Sequence, residues 1–223
     1  MTKVVISAAL FTALALPAQI ETASAATSSQ LSLNVLLIGA GSSDPTTAAW
    51  QSALSSEGVA YTEVTATTSG GLGTYTVSLP ALTTGTVGNF NAVVFADGPN
   101  AYAAGQFATL DSYESTFGVR QLDGYMFPDS SIGLTGAPGA VLDGQSATVT
   151  AAGLAGLPQL TGSLAFDTGT YGYGATVNTG APFTPWITDS AGVVAGVYQH
   201  PSTDAQAGVS ELALFFDYNA ASL

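Results

Sequence analysis

Apolar and polar positions change their spacing roughly half-way along the chain. Leu33 to Ile38 is apolar on both faces, as in a central parallel strand. The turn-rich loop Gly39-Ala40-Gly41-Ser42-Ser43-Asp44-Pro45 follows, and Thr46 or Thr47 can cap a helix over Ala48 to Glu57 that stops at Gly58. Ala49, Trp50 and Leu54 fall on one face of that helix. Ala60 to Val64 reads as a second strand. A third buried strand, Ala92 to Ala96, ends in Asp97-Gly98-Pro99-Asn100. The spacing then predicts a helix from Ala101 to Phe117, stopped by Gly118, and a strand over Val119 to Leu122. The order β-α-β-(hairpin)-β-α-β predicts an α/β fold with a flavodoxin- or amidotransferase-like three-layer core.

Beyond residue 128, Gly, Thr, Ser and Pro dominate and short alternating runs replace helical spacing. Strands are expected at Ser146 to Thr150, Ser163 to Phe166, Tyr171 to Val177, Val193 to Gln199 and Glu211 to Asp217, with turns at Asp123-Gly124, Asp143-Gly144 and Asp189-Ser190. This β-rich half is either a sandwich-like unit or an antiparallel extension of the first sheet, giving an α+β whole. The division is a leader over 1–25, an α/β half over 26–128 and a β-rich half over 129–223, the two halves forming one compact module. After the apolar run Leu212 to Phe216, Asp217 to Leu223 starts what reads as a capped helix, so the chain is expected to be the front of a longer protein with a downstream domain.

Residues 1–25 fit a secretory signal peptide: Lys3 in the n-region, an apolar run from Val4 to Ala15, and Ala23-Ser24-Ala25 as a cleavage site. The run is short of the roughly 20 residues needed to span a bilayer. Export to the extracellular space is expected, and no later segment reads as a transmembrane helix. Lys3 and Arg120 are the only strong bases against 15 acids, a formal charge of −13. Nucleic acid and anionic membrane surfaces are excluded as partners, because both are bound through Lys and Arg clusters.

The absence of cysteine removes thiol catalysis, Fe–S clusters and zinc-cysteine sites. Gly39-Ala40-Gly41 follows a strand, but the third glycine of a dinucleotide fingerprint is replaced by Asp44, which would repel a pyrophosphate. No G-x-S-x-G elbow occurs. The lone His200, in a hairpin-like Tyr198-Gln199-His200-Pro201, reads as a surface or structural residue rather than a catalytic one, and one histidine cannot build a usual zinc site. Asp123, Asp129 and Asp143 could offer oxygens to calcium but follow no loop spacing, and read as solvated turn carboxylates. No cofactor and no catalytic residue is assigned.

Recognition of a neutral or cationic glycan fits what remains, because sugars stack on aromatic faces and hydrogen-bond to carboxylates and amides. Tyr171 and Tyr173 share a face if extended, and Trp186 lies in a Pro-rich stretch. Asp97, Asn100 and Tyr102 follow a parallel strand at its ligand-binding end. The competing reading is that Trp186 and half of the tyrosines fill the core.

Three stretches carry a family resemblance together: Phe90 to Gly98, Tyr113 to Leu122, and Leu212 to Asn219, with Tyr125-Met126-Phe127-Pro128 after the second. The combination resembles the N-terminal part of the secreted galactosaminogalactan deacetylases of fungi and their bacterial relatives, in which a carbohydrate-binding module precedes a metal-dependent polysaccharide deacetylase domain. The resemblance runs from Leu33 to Leu223. It implies a non-catalytic module that targets an amino-sugar exopolysaccharide, with catalysis in a region this chain does not contain, and it places no ligand contact residue by residue; Tyr125 is counted with the candidate ligand contacts above. The other readings are a part of a carbohydrate esterase whose active site a missing C-terminal domain supplies, and a surface module that binds protein. Arg120 is expected to hold a structural ion pair, with Glu114 as its partner.

Overall fold

The computed structural model describes residues 30–68 and 70–218, so the leader and all but the first two residues of the C-terminal helix expected from the sequence lie outside the described residues. The first half contains β1 (Val35–Gly39), α1 (Pro45–Ser56), β2 (Tyr61–Thr65), β3 (Ala92–Phe95), α2 (Ala108–Phe117) and β4 (Arg120–Asp123). β1 pairs in parallel with β2 and β3, and β3 with β4. Side chains alternate across the sheet. Leu36, Ile38, Val93 and Phe95 therefore meet Leu110 and Tyr113 of α2 on one face. Val35, Leu37 and Val94 meet Leu54 and Trp50 of α1 on the other. That is the three-layer α/β core the pattern predicts, and the both-sided apolar character of β1 follows from it.

The second half adds β5 (Leu134–Val141), β6 (Ser146–Val149), α3 (Ala151–Gly156), β7 (Ser163–Ala165), β8 (Tyr171–Val177), β9 (Phe183–Asp189), β10 (Gly192–Gln199) and β11 (Ser210–Leu214). β11 pairs in parallel with β4, Glu211 opposite Gln121, and carries the sheet on through antiparallel β10, β9, β6 and β7. β5 and β8 form an antiparallel ribbon joined to β10 at Ala175–Val193. Leu134 and Ala175 of the ribbon pack with Phe183, Tyr198, Ala213 and Phe215. The β-rich half thus extends the sheet and also folds a ribbon over it as a second, sandwich-like layer.

Some boundaries differ for identifiable reasons. α1 is capped by Asp44 rather than by a threonine: Asp44 Oδ2 accepts from the backbone N–H of Thr47 at 2.7 Å and from the hydroxyls of Thr46 and Thr47. Pro45 takes the first helical position, where its missing N–H costs nothing. Asp44→Ala should therefore cost about 1–2 kcal/mol, read as a lower thermal midpoint, while Asp44→Asn should retain most of the stability. α2 starts later than expected because Ala101 to Ala103 pair with Tyr75: Tyr75 donates to Ala101 O, and Ala103 N donates to Tyr75 O. β5 and β9 were hidden by Pro138 and Pro185, and β9 accommodates its proline beside a register shift. Among the described residues no helix is long and apolar enough to cross a membrane.

Candidate functional site

β3 and β4 run parallel, so their carboxyl ends open at the same edge, the usual ligand side of such sheets. The chain leaves β4 through Gly124 and then alternates. Met126 is buried against Gly98, while Tyr125 and Phe127 turn outward. Tyr125 has φ +30°, the left-handed region that side chains rarely enter, and among the described residues it is the one non-glycine there. Such a conformation costs about 1–3 kcal/mol and is typical of functional positions.

The neighbouring β8 supplies the other rings. Gly172 and Gly174 face inward, where a Cβ on Gly174 would stand 2.4 Å from Ala191 O, so Tyr171 and Tyr173 face outward. Tyr125 stacks on Tyr173 with centroids 6.2 Å apart, and Tyr171 and Phe127 meet Tyr173 edge-on at 5.7 and 5.1 Å. Gly136 and Gly139 of β5 leave the space these rings occupy: a Cβ on Gly139 would lie 2.4 Å from the Tyr171 ring, and one on Gly136 2.8 Å from Phe127 Cζ. Phe127 is 45% exposed and Tyr171 36%. Burial pushes the Tyr125 phenol above its ordinary range, and a hydrogen bond to the Tyr173 hydroxyl adds to the effect. At the margin, Asn100 Nδ2 donates to Phe127 O at 2.9 Å, and Asp217 accepts from the Tyr171 backbone N–H at 2.7 Å. The structure thus brings Asn100, Tyr125, Tyr171 and Tyr173 together. Phe127, two residues from Tyr125 across a buried Met126, is the contact that sequence reasoning missed.

The other candidates lie elsewhere. Asp97 sits beyond β3, accepts from the Thr46 hydroxyl at 3.2 Å, and has its pKa pushed up to about 6 by burial and then by Asp44. Tyr102 is buried among Phe95, Phe107 and Tyr75, so it is a core residue rather than a ligand contact. Trp186 packs on Gly156 of α3 and borders a groove with Ala92 and Arg120, at the amino ends of β3 and β4. It therefore sits at the opposite end of the sheet from the aromatic face.

The expected Glu114–Arg120 pair does not form. Alternation along β4 puts Arg120 on the face away from α2, exposed, while Glu114 is fully buried and accepts from Gln206 Nε2 at 2.6 Å. Glu114 belongs instead to a buried polar cluster on the α2 face of the sheet. Gln121 Nε2 donates to Asp123 Oδ1 at 2.8 Å, and Gln206 Nε2 also reaches Gln121 Oε1 at 2.9 Å. Glu211 neighbours both strand residues, and His200 places Nε2 2.9 Å from Glu211 Oε2 and Nδ1 3.1 Å from Asp204 Oδ2.

Burial pushes the Glu114 pKa up to about 8. It also raises Asp123, where Glu211 adds to the effect, and it raises Glu211 itself. His200 is therefore a structural residue in a buried cluster rather than part of a surface turn. Asp123 is likewise fully buried, not a solvated turn carboxylate. Asp129 caps a short 3₁₀ turn and Asp143 accepts from Gly169 N, so the three aspartates weighed for calcium have separate partners. Among the described residues no group of three or more His, Asp or Glu is arranged to hold a metal ion.

No family model and no curated protein matches the chain. Among solved structures it is similar to Agd3, a carbohydrate deacetylase, with a TM-score of 0.68 and 19% identity over 86% of this chain and 30% of that one. A glutamine amidotransferase from Thermotoga maritima aligns over 83% of this chain and 75% of its own at a TM-score of 0.47 and 11% identity. The first similarity establishes the fold: this chain is built like a part, less than a third, of the Agd3 chain.

Proposed function

We propose that this chain is the non-catalytic carbohydrate-binding module of an exported, polysaccharide deacetylase-like protein, and that it holds an amino-sugar polymer on the face formed by Tyr125, Phe127, Tyr171 and Tyr173. The observation that carries the reading is this gathering of four partly exposed rings at the carboxyl edge of the sheet. Apolar sugar faces stack on such rings, and the Asn100 amide and Asp217 carboxylate at the margin suit sugar hydroxyls. The strained Tyr125 backbone supports the reading, because the fold holds that ring outward at a cost. Similarity in fold to a carbohydrate deacetylase supports it as well. A formal charge of −13 favours a polymer carrying free amino groups over an anionic one. In this reading binding takes no cofactor, and catalysis belongs to other parts of the protein.

The test is retention on insoluble chitosan at low and moderate salt. The parent protein should be retained, and Tyr173→Ala, which removes the ring that the other three contact, should weaken binding about tenfold or more. No retention at low salt overturns the proposal. So does retention that Tyr173→Ala leaves unchanged and salt abolishes, because charge alone would then account for it.

A further inference from the structure

The sheet is covered unevenly on the face that carries α1. Leu54 and Trp50 of α1 pack over β1 and β3, and α3 lies against β9, with Gly156 on the Trp186 ring. Between the two helices Leu122, Leu212 and Val197 stand side by side across β4, β11 and β10. All three are only half-buried, whereas Asp123 and Ala213, their neighbours on the opposite face, are fully buried. The strip they form is the floor of a groove of about 440 Å³, which Leu157 and Trp186 also line.

Arg120 lines the same groove, two residues before Leu122 at the start of β4. Among the described residues it is the one Lys or Arg, and its guanidinium has neither an ion pair nor a hydrogen bond there. The chain has fifteen acids, yet none of them lines the groove. In so acidic a protein a lone arginine would readily meet a carboxylate. Strand alternation instead sets it among apolar side chains with its N–H donors free.

We infer that this groove binds a carboxylate borne on an apolar body of arylalkanoate size. The guanidinium fork matches a carboxylate with two parallel N–H···O bonds, and no acid of the chain competes for it in the groove. Leu122, Leu212, Val197 and Trp186 would take the body out of water. The volume lies within the range of about 300–1,000 Å³ usual for small-molecule sites, which pair an apolar lining with a few placed polar groups. A sugar acid fits less well, because Arg120, Gln121 and Ser210 are the polar residues of the lining and a ring of hydroxyls needs more. The charge of −13 opposes an approaching anion, but physiological salt screens exposed charges beyond about 8 Å. The groove lies at the opposite end of the sheet from the aromatic face, and the inference does not depend on how that face is used.

Titration calorimetry at neutral pH and physiological salt, with phenylbutyrate as the probe, tests this. Phenylbutyrate should bind about tenfold or more tighter than phenylbutanol, which has the body without the charge, and than acetate, which has the charge without the body. It should also exceed phenylbutylammonium, the ion that the protein's net charge favours. Arg120→Gln, at an exposed position where folding is not at risk, should weaken phenylbutyrate about tenfold or more and abolish its advantage over phenylbutanol. Binding should change tryptophan fluorescence, and Trp186→Phe should remove most of that response although Trp50 remains.

Equal binding of phenylbutanol, or equal or tighter binding of phenylbutylammonium, overturns the inference, as does unchanged affinity in Arg120→Gln. A fluorescence response that survives Trp186→Phe overturns it by placing the ligand elsewhere. No binding of phenylbutyrate overturns it too, and is the result if another segment of the chain or a second copy covers the groove. Chitosan retention by Arg120→Gln should stay at the parent level, so a failure here and a failure of the aromatic face are read separately.

Discussion

The folded state is expected to lose stability as the pH rises from about 4.5 to about 8, by about 1.4 kcal/mol per pH unit for each proton that the folded form retains and the unfolded form has released. Glu114 sets the window. Unfolded, it titrates near the ordinary glutamate value of 4.5; folded, burial holds the proton until about pH 8. Below 4.5 both states are protonated and the contribution is complete. Between the two values the unfolded chain ionises first and gains in relative stability, and above 8 the loss is finished. Asp123 and Glu211, raised by the same burial, and Asp97, raised to about 6, act in the same direction.

Denaturant melts from pH 4.5 to 9 should therefore give a falling curve. A rising one would mean that these carboxyls are ionised in the folded state. Glu114→Gln isolates the Glu114 share. The amide keeps an oxygen to accept from Gln206 Nε2 and never ionises, so the variant should exceed the parent by about 4 kcal/mol at pH 8 and converge with it near pH 4.5.

The fold was legible where hydrophobic period and helix signals agree. Val35 to Gly39, apolar on both faces, could only be a central strand, and Gly118 stops α2 with φ +65° as its position implies. Legibility failed where a tertiary partner overrides a local signal. Tyr75 claims the backbone of Ala101 to Ala103 and delays α2, and Pro185 is admitted to an interior strand beside a register shift.

The aromatic face was half legible. The alternation Tyr171-Gly172-Tyr173-Gly174 is a strand signal in itself, and it placed two rings together. That Tyr125 and Phe127 would join them depends on pairing between β5 and β8, strands separated by about thirty residues, and on glycines in β5 that leave room for the rings. The buried polar cluster left a readable trace: Gln121 and Asp123 alternate along β4, and Glu211 alternates with the apolar Ala213 along β11. Hydrophobic patterning counts such positions as surface, and only the register that sets Glu211 opposite Gln121 shows that they share a buried face.

Gly124→Ala should destabilise the protein by about 3 kcal/mol, a fall of about 6–12 °C in thermal midpoint for a domain of this size. Gly124 joins the end of β4 to Tyr125 and donates its N–H to Phe95 O at 2.8 Å. A Cβ there would stand 1.8 Å from the Tyr218 hydroxyl, 2.5 Å from Ala96 O and 3.0 Å from Phe95 O. The Tyr218 ring could yield, but its hydroxyl accepts from Trp50 Nε1 and donates to Ala96 O, so yielding breaks a link between α1 and the sheet.

The two carbonyls belong to β3 and its exit and cannot move without opening the pairing of β3 with β4. Because the strain falls one residue before Tyr125, Gly124→Ala should also weaken chitosan retention beyond what its lost stability explains. Gly162→Ala is the control, since a Cβ at that position meets nothing within 4 Å. Equal thermal midpoints for the two variants would show that the carboxyl edge of β4 is loosely packed. In that case the backbone strain at Tyr125 could not be sustained by its surroundings, and the ring would have no fixed place on the aromatic face.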